Sequence, residues 1–252
     1  MIVFPNAKIN IGLNVVKRRE DGFHNIESIF YPVLDVFDVL EIIESDELVF
    51  TSTGISIPGS IDSNLCVKAY QLIKADYDIP FVKIHLHKVI PIGAGLGGGS
   101  ADAAFMLKAL NELFNLEIPS EQLINYSRKL GSDCAFFIEN KTVYAFNKGD
   151  EFQAIDFDIS LFDIKIEYPN IHIGTKEAYN GISPHEPNQK IKELIKGSIV
   201  KWKETVFNDF EASVFPKYPE IKIVKQKMYD DGAVFASMTG SGSAVFGLFE
   251  KK

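Results

Sequence analysis

The sequence predicts an α+β protein of two lobes. Strand-like and helix-like stretches are mixed along the chain without regular βαβ alternation. At 252 residues the chain is long enough for two modest cores. The run of elements also restarts after residue 150, which divides the chain into an N-terminal domain, 1–150, and a C-terminal domain, 151–252.

Each element follows from its pattern. Ile9, Ile11, Leu13 and Val15 alternate with Lys8, Asn10 and Asn14, the mark of a half-buried strand. Side chains two apart share a face, so Lys8 and Asn10 point the same way. A turn at 18–22 leads to strands at 28–33 and 39–43, and then to a Gly/Ser/Pro-containing connection at 51–60. A helix is predicted over 63–75, with Leu65, Ala69, Leu72 and Ile73 on one face. Val82, Ile84 and Leu86 alternate in a strand over 82–90. A glycine loop and a helix over 100–114 follow, then a helix over 120–130 stopped by Gly131. Residues 142–146 read as a strand and 148–150 as a turn. Beyond these come a strand at 164–168 and helices at 175–180, 189–196, 202–215 and 219–229. The last helix opens on Pro219, and two strands at 233–237 and 244–249 flank Met238–Ser243.

Composition narrows the class. Hydrophobic residues make up 46% and charged residues 24%, the balance of a soluble globular chain. A net charge of -8 argues against nucleic acid or an anionic membrane as partner, since both need a basic footprint. A small anionic substrate needs only a local cluster. Cys66 and Cys134 have no metal-like spacing and form no disulfide framework. No basic leader with an apolar run and no membrane-length apolar segment is seen, so a cytoplasmic protein is expected. Oligomeric state leaves no signal.

The loop Pro91, Ile92, Gly93, Ala94, Gly95, Leu96, Gly97, Gly98, Gly99, Ser100 and Ala101 is the strongest local feature. Glycines at 93, 95, 97, 98 and 99 cost backbone entropy, so a structural reason is expected. They let backbone N–H groups approach a ligand and lead into a helix N-terminus, which favours an anion. Ser100 reads as an N-cap or a phosphate donor. Together these describe a polyphosphate cradle. The P-loop pattern fails because no lysine follows the glycines. The dinucleotide pattern fails because no acidic residue caps a second strand about twenty residues on. The protein-kinase set fails because His-Arg-Asp is missing and Asp209-Phe210 runs into Glu211.

Three separated segments resemble the three motifs of the GHMP kinases, the relatives of galactokinase, homoserine kinase, mevalonate kinase and phosphomevalonate kinase. They are Pro5–Val15, Pro91–Ala104 and Met238–Phe246, in matching order across nearly the whole chain. Ala7–Asn10, Asp21–His24 and Gly131–Cys134 are similar to the branch that phosphorylates a hindered alcohol on a small molecule carrying a cytidine diphosphate group. The resemblance implies a two-lobed GHMP kinase fold with ATP and substrate in the cleft between lobes. Phe23 stands where the branch usually has Tyr, and Ser132 where it often has Ala.

By this resemblance Asp133 takes the proton of the attacking hydroxyl and Lys8 stabilises the alkoxide and the transferring charge. Read without it, Asp133 is a helix cap and Lys8 a solvated strand lysine. Asn10, Phe23, His24 and Tyr179 are the substrate candidates, with His24 reading the cytosine edge and the two aromatics stacking on the base. Tyr179 also reads as a half-buried helix aromatic. ATP is the expected cofactor, with Mg²⁺ alongside it. The metal ligands stay open between Ser100 and Asp102, and Asp102 also reads as a complement to the helix dipole. Asn64 is a further nucleotide-contact candidate. His85 and His87 share a strand face without a third ligand. Two other readings remain: a GHMP kinase for a different alcohol, and a non-catalytic sensor binding ATP on the same fold.

Overall fold

The computed structural model of the chain describes residues 1–251. The first strands are β1 (Ile2–Val3), β2 (Asn6–Arg18), β3 (His24–Phe37), β4 (Val39–Ser45) and β5 (Val49–Gly54). Next come α1 (Leu65–Asp76), β6 (Phe81–Lys88), α2 (Gly98–Leu113), α3 (Ser120–Arg128), α4 (Cys134–Glu139), β7 (Val143–Phe146) and β8 (Glu151–Ala154). The remainder is β9 (Phe162–Glu167), α5 (Thr175–Asn180), α6 (Ile191–Leu194), α7 (Trp202–Thr205), α8 (Phe210–Val214), α9 (Pro219–Asp230), β10 (Phe235–Met238) and β11 (Val245–Glu250). The α+β class is borne out.

The chain packs as two compact units, each made of separated stretches. The first comprises Met1–Ala7, Pro32–Ile92 and Gly97–Lys141. Its sheet has the order β1-β4-β6-β5, antiparallel except for the parallel β5–β6 pair. In β6 the alternation predicted from sequence holds: Val82, Ile84 and Leu86 are buried while Phe81, Lys83 and His87 face out. Helix α2 buries Ala101, Ala103, Ala104, Met106, Leu107 and Leu110. The three alanines let α1 and α4 pack closely against it.

The second unit comprises Lys8–Tyr31, Gly93–Leu96 and, among the described residues, 142–251. Its β10-β11-β9 sheet is antiparallel, and most of the β2-β3-β7-β8 sheet belongs here. A core of Leu13, Val15, Ile26, Phe210, Val214, Ile221, Met228 and Val245 joins both sheets to α8 and α9.

Several local expectations change. Residues 6–15 of β2 are buried without a break, so the strand is covered on both faces rather than half-exposed. Thr51–Gly54, expected as a connection, belongs to edge strand β5, whose backbone pairs with β6 while its side chains face outward. The short α4 and β8 were not predicted. Every residue of α4 up to Ile138 is buried, so it shows no amphipathic period to read. The helix expected over 202–215 breaks into α7 and α8. Between them Leu13 N–H donates to Phe207 O at 2.8 Å and Asp209 N–H to Leu13 O at 2.8 Å, so this segment pairs with β2 instead.

Candidate active site

The glycine loop begins two residues earlier as a helix than its sequence implied. Gly97, with φ of 73°, takes the N-cap position and α2 starts at Gly98. Ser100 is therefore inside the first turn and is not the cap. A left-handed residue at Gly97 leads directly into the helical turn at Gly98, a backbone sequence of the kind from which anion-binding nests are built. Gly95 is fixed by crowding: a Cβ there would stand 2.0 Å from the Thr239 carbonyl oxygen, at a φ of +80°.

In the second unit the three motif segments meet through hydrogen bonds. Lys8 is 3% exposed, and its Nζ donates to Asn10 Oδ1 at 2.5 Å. The same ammonium lies 4.6 Å from the Phe30 ring centre. Lys8 N–H donates to Leu96 O at 2.9 Å, tying the strand to the loop. Asn10 N–H donates to Thr239 Oγ1 at 3.0 Å, and Thr239 Oγ1 donates to Gly95 O at 3.1 Å. Asn10 Nδ2 donates to Ser28 Oγ at 2.9 Å, and Ser28 Oγ donates to Gly12 O at 2.6 Å. The solvated-lysine reading is thus overturned. Burying an ammonium is costly, and the fold meets that cost with fixed polar groups.

Asn208 and Glu211 hold the third motif from behind. Asn208 Nδ2 donates to Met238 O at 2.7 Å and Gly240 O at 2.9 Å. Glu211 Oε1 accepts Met238 N–H at 2.9 Å. Sequence reading missed Ser28, Asn208 and Glu211 in these roles, because each acts on backbone brought in from far along the chain.

His24 and Tyr179 come together in this unit, with rings stacked at 4.5 Å between centres and 18° between planes. Burial pushes the His24 imidazole below its usual range, and the Arg18 charge pushes the same way. One face of Tyr179 is covered by His24, and the Phe210 ring meets Tyr179 in a T-shaped contact at 4.8 Å. Phe23 is 60% exposed, with Lys148 Nζ 5.5 Å from its ring centre.

In the first unit Asp133 occupies the N-cap position of α4, but its side chain makes no capping hydrogen bond. A cap is therefore not what its carboxylate supplies. The adjacent Cys134 side chain is hydrogen-bonded to Ser100, which brings the Gly131–Cys134 segment beside the first turn of α2. Burial pushes the Cys134 thiol up to about 12, so it is no nucleophile.

Asp102 lies beyond the first turn of α2, contrary to the dipole reading, and is 3% exposed. Its Oδ2 accepts Lys88 Nζ at 2.7 Å, and Lys88 Nζ also meets Asp38 Oδ2 at 2.5 Å. Asn64 caps α1, its Oδ1 accepting Cys66 N–H at 2.8 Å, so its side chain serves the helix. His85 and His87 hydrogen-bond to Thr51 and Thr53 on the exposed sheet face. Among the described residues no group of three or more His, Cys, Asp or Glu could hold a metal, and no helix is long and apolar enough to cross a membrane.

Known proteins are similar to this chain in sequence and fold. Residues 64–141 match the GHMP kinases N-terminal domain and residues 191–252 the GHMP kinases C-terminal domain. The 4-diphosphocytidyl-2-C-methyl-D-erythritol kinase of Azobacteroides pseudotrichonymphae is 50% identical over 252 residues, covering 100% of this chain and 94% of its own. The protein of that name from Cytophaga hutchinsonii is 52% identical, covering 100% and 93%. A crystal structure of 4-(cytidine 5'-diphospho)-2C-methyl-D-erythritol kinase superposes with a TM-score of 0.84 at 30% identity, over 98% of this chain and 90% of that one. The homoserine kinase of Cytophaga hutchinsonii shares the fold alone, at a TM-score of 0.69 and 18% identity.

The chain belongs to the GHMP kinases, within the 4-diphosphocytidyl-2-C-methyl-D-erythritol kinase family. A kinase of this family uses ATP and acts on a small molecule.

Proposed function

We propose that the chain transfers the terminal phosphoryl group of ATP to the 2-hydroxyl of 4-diphosphocytidyl-2-C-methyl-D-erythritol, in the non-mevalonate route to isoprenoid precursors. The observation that carries this reading is the buried Lys8–Asn10 pair, hydrogen-bonded to both glycine motifs. A cation held that rigidly beside an anion-binding loop is suited to developing negative charge.

In this reading the loop Pro91–Ala101 binds the nucleotide phosphates, with the backbone N–H groups between Ile92 and Ser100 as the donors. Asp133 removes the proton from a hindered alcohol that is nearly inert when neutral, a contribution of roughly 10²- to 10⁴-fold. Lys8 stabilises the alkoxide, and Asn10 orients Lys8. His24, neutral at pH 7, offers one ring N–H and one acceptor to the cytosine edge. Phe23 supplies an exposed face for the base, and Tyr179 backs the His24 ring. Ser100 fits Mg²⁺ better than Asp102 does, because Asp102 is enclosed and spends an oxygen on Lys88. A cytoplasmic location and a sequence-order division near residue 150 complete the proposal; the two family matches fall one on each side of that boundary.

The test is a substrate panel read by ADP release, with the phosphorylated position assigned by NMR. Turnover should require the cytidine diphosphate group. Equal turnover of free methylerythritol phosphate removes the cytidine pocket, and preference for another alcohol moves the chain elsewhere in the family. ATP binding with no transfer to any alcohol supports the sensor reading.

A further inference from the structure

The glycine loop has two stems, the end of β6 and the start of α2, and both lie in the first unit. A cluster of buried charges connects them. Asp38 Oδ1 accepts the N–H groups of Val89 at 2.6 Å and Ile90 at 2.8 Å, the last residues before Pro91. Asp38 Oδ2 accepts Lys88 Nζ at 2.5 Å. Lys88 Nζ crosses to Asp102 Oδ2 at 2.7 Å, on the helix that leaves the loop. A Cβ on Gly98 would stand 2.9 Å from Lys88 Nζ, so the missing side chain at the helix start is what lets the ammonium through. All three charged groups are buried.

Three buried charges are an expensive way to gain stability alone, because desolvation offsets much of their attraction. What they supply is geometry. The strand end and the helix start are held at one separation by short, charge-assisted contacts. A loop rich in glycine has many conformations to lose when it binds phosphates, and fixing its stems removes part of that cost.

We propose that Asp38, Lys88 and Asp102 are positioning residues: together they clasp the stems of the glycine loop and set the affinity for nucleotide. The proposal rests on the reading of this loop as the ATP cradle.

The test compares Asp102→Leu with Asp102→Asn in the full chain. Leucine keeps the branching of aspartate at Cγ, with somewhat larger bulk, but accepts no hydrogen bond, whereas asparagine keeps an acceptor for Lys88. Binding of a non-hydrolysable ATP analogue is measured by calorimetry, and binding of the cytidine substrate separately. Asp102→Leu should weaken the analogue about fivefold or more, with asparagine closer to the parent and cytidine-substrate binding changed much less. A folded Asp102→Leu protein that binds the analogue like the parent overturns the clasp. So does equal weakening of both ligands, which marks a merely structural role. If Asp102→Leu does not fold, Asp38→Asn turns an amide toward Lys88 and is judged by the same two affinities. Failure of the unaltered protein to bind the analogue rejects the ATP reading of the loop, a result distinct from failure of the clasp.

Discussion

Thr239 and Asn10, 229 positions apart in the chain, are bonded directly: Asn10 N–H donates to Thr239 Oγ1 at 3.0 Å. The same hydroxyl donates to Gly95 O at 3.1 Å, so one small side chain joins all three glycine- and asparagine-bearing motifs.

Lys8→Ala and Asp133→Ala should each lower kcat by at least about 10²-fold while the far-UV circular dichroism stays that of a folded protein. Asp133 sits at the N-cap of α4 without a side-chain cap hydrogen bond, so the α4 cap does not depend on its carboxylate. Near-normal kcat in a folded Asp133→Ala protein rejects it as the base.

Gly95→Ala should abolish nucleotide binding and lower the melting temperature. The added Cβ meets Thr239 O at 2.0 Å, and the left-handed backbone alone costs a non-glycine residue roughly 1–2 kcal/mol. At Gly99 the nearest atom to a new Cβ is 3.9 Å away, so Gly99→Ala should melt like the parent. Calorimetry with an ATP analogue and thermal melts separate the two effects. Equal melting temperatures for both variants would be inconsistent with the crowding at Gly95.

His24 should act as a neutral ring. Its pKa is lowered from 6.5 by burial and then by Arg18, so the folded protein disfavours the imidazolium. Its share of stability is present above the unfolded value of 6.5 and is lost as pH falls through the lower folded value. The KM for the cytidine substrate should therefore be flat from about pH 7 to 8, above the imidazole range, and rise in acid, with the KM for ATP unaffected. His24→Ala should raise the substrate KM and remove that acid limb. An unchanged acid limb in the variant assigns it to another group.

Asp102 should give stability an opposite drift. Burial pushes its carboxyl from 3.8 up to about 7, against the pull of Lys88 and with the push of Asp38. The buried Cys66 thiol is itself pushed well up and stays neutral. A raised carboxyl favours folding while protonated, so this contribution is full below 3.8 and is lost as pH rises through about 7. Melting temperatures of Asp102→Asn should fall less across that interval than those of the parent. Parallel curves for the two proteins refute the assignment.

Much of the fold was legible where one segment contains its own reason. The alternation of Val82, Ile84 and Leu86 predicted β6, and Pro219 marked the start of α9. Residues Thr175–Asn180 form the short helix expected there. What failed depended on partners. Strand β5 reads as a loop until β6 pairs with it, and the break between α7 and α8 exists because 206–209 pairs with Leu13. In the candidate site, Lys8 and Asn10 shared a face as their spacing required. Their burial, and the bonds to Ser28 and Thr239, could not be read from spacing.

By itself the sequence determined the class of elements, the expectation of a phosphate cradle at the glycine loop and the resemblance of three segments to one kinase family. These are properties of local pattern: period, glycine placement and residue type in order. Only the tertiary structure decided that Lys8 is a buried cation, that Asp133 does not serve as a cap, and that Asp102 turns inward to Lys88. Those outcomes depend on desolvation and on hydrogen bonds between residues far apart in the chain, and both are set by packing.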